Sequence, residues 1–156
     1  MNVNELVVVN LSETRRRSLI VWRAVPNAQL RWKPDEEALS IGDMIRHIWT
    51  AQITYHQIVI AGHSVSDSHT AFDSIPVTDI DQEIAMSIPP FQEFIDHVRE
   101  LPSAAFDDRK IDRSDVGYIR STGDFLARIA YHEAVHTGQL LQYLRMAGIV
   151  RPQIWD

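Results

Sequence analysis

YHEAVHTGQLLQYLRMAG, Tyr131 to Gly148, is the stretch on which the fold turns, because it sets two imidazoles, His132 and His136, one helical turn apart. At about 100° per residue, positions four apart lie about 40° from one another on a helix, with Cβ atoms about 6 Å apart, so both rings can converge on one divalent ion. The flanking residues supply the helix. Ser121 followed by Asp124 is a capping-box variant, Gly138 is the only Gly or Pro between Phe125 and Met146, and Gly148 provides a stop. Phe125, His132, His136 and Tyr143 fall within about 40° of one another on this helix. The imidazoles therefore share a seam with large aromatic residues and are expected to face the core. Two adjacent histidines in such a place need polar partners, and a metal ion is one.

HEAVH also fits the HExxH pattern of zinc proteases, in which the intervening Glu activates water. The companion parts of that site are missing. No His follows His136, the continuation Thr137-Gly138-Gln139 departs from the extended protease pattern, and the only carboxylate after Glu133 is Asp156. A third ligand is therefore expected upstream, and His47 is the best candidate. Ser40 followed by Asp43 reads as a helix start, Ile41 to Ala61 carries no Pro and no Gly beyond its first turn, and Gly62 ends it. Asp43, Met44, His47, Ala51, Thr54 and Ile58 share one face of that helix, so His47 is expected to point inward. His56 lies about 180° round the wheel and is expected to face solvent or a neighbouring chain. His63 and His69 in a polar loop, and His97 among charged neighbours, are read the same way.

These segments together resemble the DinB-like (DinB/YfiT) superfamily of metal-binding four-helix bundles. The resemblance is carried by SIGDMIRHIWTAQ (Ser40–Gln52), by the histidine pair within YHEAVHTGQLLQYLRMAG, and by RWKP (Arg31–Pro34) ahead of the second helix. It covers nearly the whole chain. It implies an all-α fold, a four-helix bundle of DinB/YfiT type with two long connections, and a metal bound by His47, His132 and His136. It also implies a menu of activities, including thiol-dependent S-transferases and isomerases that use a low-molecular-weight thiol.

Composition narrows the remaining classes. The chain has 156 residues, 45% of them hydrophobic, which suits one domain spanning 1–156. With no cysteine there is no disulfide framework, no zinc–thiolate site and no cysteine nucleophile in the protein itself. A net charge of −6 argues against nucleic acid, whose phosphates are bound by basic surfaces. The one basic cluster, Arg15 to Arg17, is read as a solvated helix face. The opening MNVNELVVVNLSETRRR lacks a signal-peptide pattern, and its apolar run is too short to span a membrane. A cytoplasmic location without membrane partners is the expectation, and a homodimer is expected from general frequency.

Four main helices are anticipated. The first runs from about Asn4 to Ala24, with Leu6, Val9, Leu19 and Trp22 as its core stripe. Trp32 docks on the bundle and Pro34 blocks continuation. The second helix is Ile41 to Ala61, followed by a polar loop from Gly62 to Thr78. Pro89 and Pro90 disfavour one continuous third rod, so its main segment is placed near Pro89 to Leu101, with a short helix over Asp79 to Met86. The connection Pro102 to Arg120 could hold a short extended segment. The fourth helix carries the histidine pair.

Three histidines without a carboxylate or thiolate leave open positions on a divalent ion, the pattern of a catalytic site. Zn or Ni suits imidazole best, and Fe or Mn is compatible. Asp43 and Gln139 are placed to reach a ring N–H or the open position. Tyr55 and Tyr143 are candidate pocket residues. Glu133 is a candidate general base at the edge of the site, against the simpler reading of a surface acid. The leading expectation is a metal-dependent enzyme that transfers or adds a low-molecular-weight thiol, its co-substrate, to a small electrophile. The alternatives are a metal-dependent hydrolase of a small substrate and a non-catalytic, stress-related metal-binding dimer.

Overall fold

The computed structural model describes residues 1–66 and 69–155, so Asp156 and part of the anticipated Gly62–Thr78 loop lie outside the described residues. The chain is mostly helical. Four long helices, α1 (Val3–Arg23), α2 (Ile41–Ala61), α3 (Ile80–Glu100) and α5 (Thr122–Met146), are joined by a one-turn α4 (Ala105–Asp108) and an antiparallel ribbon, β1 (Lys110–Arg113) and β2 (Tyr118–Ser121). Helices α1 and α2 each pack against both α3 and α5. No helix among the described residues is long and apolar enough to cross a membrane.

Local chemistry explains where the long helices start. The Asn2 side chain accepts from the Glu5 backbone N–H at 2.9 Å while Glu5 accepts from the Asn2 N–H at 3.0 Å, a reciprocal cap on α1. Ser40 accepts from the Asp43 N–H at 3.1 Å to open α2, and Ser121 accepts from the Asp124 N–H at 3.3 Å to open α5. Gly62 ends α2 at φ 79°, a left-handed conformation that costs glycine little.

The buried stripe of α1 differs from the expected one. Leu6 and Val9 are exposed, while Asn4, Val8, Leu11, Arg15, Ser18, Val21 and Trp22 are buried. Polar side chains sit inside because each has a partner there. Asn4 Nδ2 donates to the carbonyls of Val98 at 2.9 Å and Leu101 at 2.7 Å, closing the end of α3. Arg15 is likewise internal rather than part of a solvated face.

Helix α3 is continuous through Pro89 and Pro90. Pro89 and Ala85, whose carbonyl the ring leaves without its usual donor, are both exposed, so water can serve that carbonyl. Burial of Ile84, Phe94, Ile95 and Val98 on both sides of the prolines holds the rod together.

The 102–120 connection forms structure of its own, which makes the all-α expectation incomplete. Gly117, at φ 93°, closes the turn between β1 and β2. The Asp112 N–H donates to Gly62 O at 2.8 Å and the Ser64 N–H to Asp112 O at 3.2 Å, so the ribbon is stitched to the end of α2. Phe106 and Ile111 anchor it over one apolar cluster with Val59, Phe94 and Leu126. A second cluster, around Trp22, Ile45, Trp49, Leu140 and Leu144, fills the opposite end of the helices.

Candidate metal centre

Helix α5 presents His132 and His136 toward α2, where His47 meets them. The Nε2 atoms of His47 and His132 are 3.2 Å apart, and those of His136 and His132 are 3.1 Å apart. All three imidazoles offer a nitrogen within 4.8 Å of the other two. Two imidazole nitrogens about 2.0–2.1 Å from a shared ion stand about 3.0–3.4 Å apart, so this spacing fits a common divalent cation. The cluster lies at the rim of the helices rather than deep in the core as expected, with all three rings part-buried and His47 the most open of them.

Proton accounting strengthens the fit. Gln139 Oε1 accepts from His136 Nδ1 at 2.6 Å, which leaves the His136 Nε2 lone pair aimed at the cluster. A single proton on His132 Nε2 cannot serve both neighbouring Nε2 atoms, whereas a cation satisfies all three. Burial, reinforced by His136 and His47, pushes His132 down to about 4. Burial and His136 also lower His47. Both rings are therefore neutral at pH 7, the form that binds metal.

The other sequence candidates divide. Tyr55 stands edge-on to His132 with ring centroids 5.5 Å apart, and burial raises its phenol above the ordinary value, keeping it protonated. With His47, Thr50, Ala51 and Thr54 it lines a recess of about 250 Å³ beside the cluster. Asp43 does not join the cluster; its carboxylate accepts from Ser40 Oγ at 2.6 Å in the helix cap. Tyr143 packs edge-on against Trp32 at 5.6 Å, within the periphery of the second apolar cluster.

Glu133 is neither a surface acid nor at the edge of the cluster. Its carboxylate is buried and gripped by Arg15 of α1, with Nε–Oε1 2.7 Å and Nη2–Oε2 3.1 Å. One turn on, Thr137 Oγ1 lies 2.8 Å from Ser18 Oγ, also on α1. One residue along α5 thus separates a row facing α2 from a row facing α1. The sequence reading missed Arg15 as the Glu133 partner because 118 residues separate them.

His56 is also placed differently from the expectation. It is buried, with Nε2 2.9 Å from His97 Nδ1, across the α2–α3 contact. His63 and His69 are exposed.

A family model described as the DinB superfamily matches residues 10–140. The structure is similar to that of a DinB-like protein from Bacillus subtilis, with a TM-score of 0.76, 19% sequence identity, and coverage of 97% of this chain and 98% of that one. No curated protein matches the sequence.

Proposed function

This chain belongs to the DinB superfamily, and from that premise we propose a metal-dependent enzyme that transfers or adds a low-molecular-weight thiol to a small electrophile. The reading takes the chain as one domain, 1–156, with its long helices forming the four-helix bundle of DinB/YfiT type. The observation that carries it is an open cluster of three histidines beside a recess, with no carboxylate among the described residues joining the cluster. A divalent ion, Zn or Ni by the chemistry of the donors, supplies Lewis acidity that lowers the pKa of a thiol brought to it.

The chain's own groups do the rest. His47, His132 and His136 hold the ion from two helices, and Gln139 fixes the His136 tautomer. Tyr55, at the recess wall, limits the approach and offers a phenol O–H to an incoming polar group. In the reaction a sulfur–carbon bond forms and the thiol proton passes to solvent. In transfer the electrophile's leaving group departs, whereas in addition a proton returns to the neighbouring carbon. Hydrolysis through Glu133 is the weaker reading, because that carboxylate is held by Arg15.

The test begins with metal analysis of wild type beside His47→Ala and His132→Ala, after dialysis without chelator. About one equivalent in wild type and none in either variant supports the site, followed by metal-dependent loss of free thiol when a small thiol and an alkylating electrophile are supplied. A wild-type protein that takes up no Zn or Ni on reconstitution refutes the reading.

A further inference from the structure

A second recess, of about 130 Å³, opens on the other side of Tyr55 between the β1–β2 ribbon and the facing surfaces of α2 and α5. Tyr55 lines both recesses, so the two lie on either side of a single ring. The second recess is strongly basic for a protein of net charge −6. Arg113 from β1, Arg120 from β2 and Arg128 from α5 all line it.

Their charges are only partly matched. Among the described residues Asp124 is the one carboxylate bound to them, accepting from Arg120 Nη1 at 2.9 Å and from Arg128 Nε at 3.1 Å. The partners of Arg113 among the described residues are neutral: it donates to Ser64 Oγ at 3.0 Å and to the Tyr118 hydroxyl at 2.9 Å. Two positive charges are left in excess. The Arg120 Nε–H is buried and has no hydrogen-bond partner, an unusual state for the strongest class of donor. Tyr118 lies under both ribbon arginines, with guanidinium carbons 5.5 Å from its ring for Arg113 and 4.6 Å for Arg120. Stacking of this kind holds the planar guanidinium forks in place, and such forks match the geometry of a carboxylate.

We propose that this recess binds the carboxylate of an organic-acid substrate, whose reacting end then lies past Tyr55 at the histidine cluster. The inference rests on reading that cluster as the reaction site, and it names the substrate class as a small carboxylic acid. The ribbon, besides covering the apolar cluster through Ile111, thereby acquires a purpose as the carrier of two of the three arginines.

Titration of glutarate and of its neutral diamide into isotopically labelled, metal-free protein, followed by NMR, tests the proposal. Glutarate is expected to shift resonances around Tyr55, Tyr118 and Arg120, and the diamide to leave them in place. Arg113→Gln and Arg128→Gln are each expected to weaken glutarate binding about tenfold or more. Arg128 projects from the exposed face of α5, so its variant keeps the test alive if loss of Arg113 disturbs the ribbon. Equal binding of diacid and diamide overturns the proposal, as does glutarate binding that survives both substitutions. Glutarate shifts that appear only on metal loading and ignore the arginines also overturn it, since they report ligation at the ion. Failure of the protein to bind metal refutes the reading of the histidine cluster alone, because the metal-free titration still decides the arginine recess.

Discussion

Replacing Glu133 by Gln exchanges one member of a buried ion pair for a neutral amide and leaves the Arg15 guanidinium inside the protein. The two side chains are 4% and 7% exposed and share two short bonds, so solvent does not screen the loss. Breaking such a pair from one side costs about 3–5 kcal/mol. The amide oxygen can still accept one bond, and Arg15 keeps its place over the Phe91 ring at 4.3 Å, a contact worth about 2 kcal/mol when desolvated. The expected net loss is about 2–4 kcal/mol, or a fall in melting temperature of roughly 5–15 °C for a chain of this size. Urea unfolding of the metal-free protein measures it, with the midpoint lowered and the slope unchanged. Metal stoichiometry should stay at the wild-type value, since Glu133 faces α1 and the histidines face α2. The double variant Arg15→Met/Glu133→Leu should recover most of the stability, because an apolar pair of similar bulk removes the stranded charge. A Glu133→Gln protein within about 0.5 kcal/mol of wild type, a change typical of a neutral surface position, but with turnover abolished, would refute the structural role and restore Glu133 as a base.

Acid should act on the metal-free protein through His132. Its folded value, about 4, lies below the ordinary imidazole value of 6.5, so the unfolded chain binds a proton that the folded one refuses. That contribution is complete above about pH 6.5 and is lost as pH falls toward 4, and His132→Asn should flatten this part of a stability-against-pH curve. Gly42→Ala should destabilise by about 1–3 kcal/mol because its new methyl would sit 2.8 Å from Val77 Cγ1 and 3.1 Å from Leu30 O. Gly138→Ala, with nothing within 4 Å, should stabilise by about 0.5–1 kcal/mol, and calorimetry distinguishes the two. Gln139→Ala, by freeing the His136 ring, should weaken metal binding about 10–100-fold in a chelator competition.

The elements legible in the sequence were those specified by near neighbours. Ser40, Asp43 and Gly62 bound α2 because caps act within one turn, and the i,i+4 spacing of His132 and His136 fixes their common face on any helix. His47 was reachable because its own helix has a single well-marked face. What escaped was specified by distant partners. The stripe on α1 was misplaced because Asn4, Arg15 and Ser18 break the apolar period, and their partners Leu101, Glu133 and Thr137 lie 97, 118 and 119 residues away. His56 escaped in the same way, paired with His97 at a separation of 41. The ribbon has strands of four residues, too short for an alternation signal, and burial on both sides of the prolines outweighs their local preference in α3.

The two rows on α5 act as a phase lock on the longest helix of the protein. His132 and His136 answer to α2, Glu133 and Thr137 answer to α1, and the third pair of the same spacing, Tyr131 and Val135, is left at the surface. Deleting one residue from the first turns of α5 would rotate everything beyond it by about 100°. The following row would swing into each place, carrying a carboxylate toward the imidazole of α2 and leaving the guanidinium of α1 facing an alanine. No single compensating substitution repairs both errors. Insertions and deletions in this lineage should therefore collect in the connections around the ribbon and the polar loop, while the length of chain between Ser121 and Thr137 stays fixed.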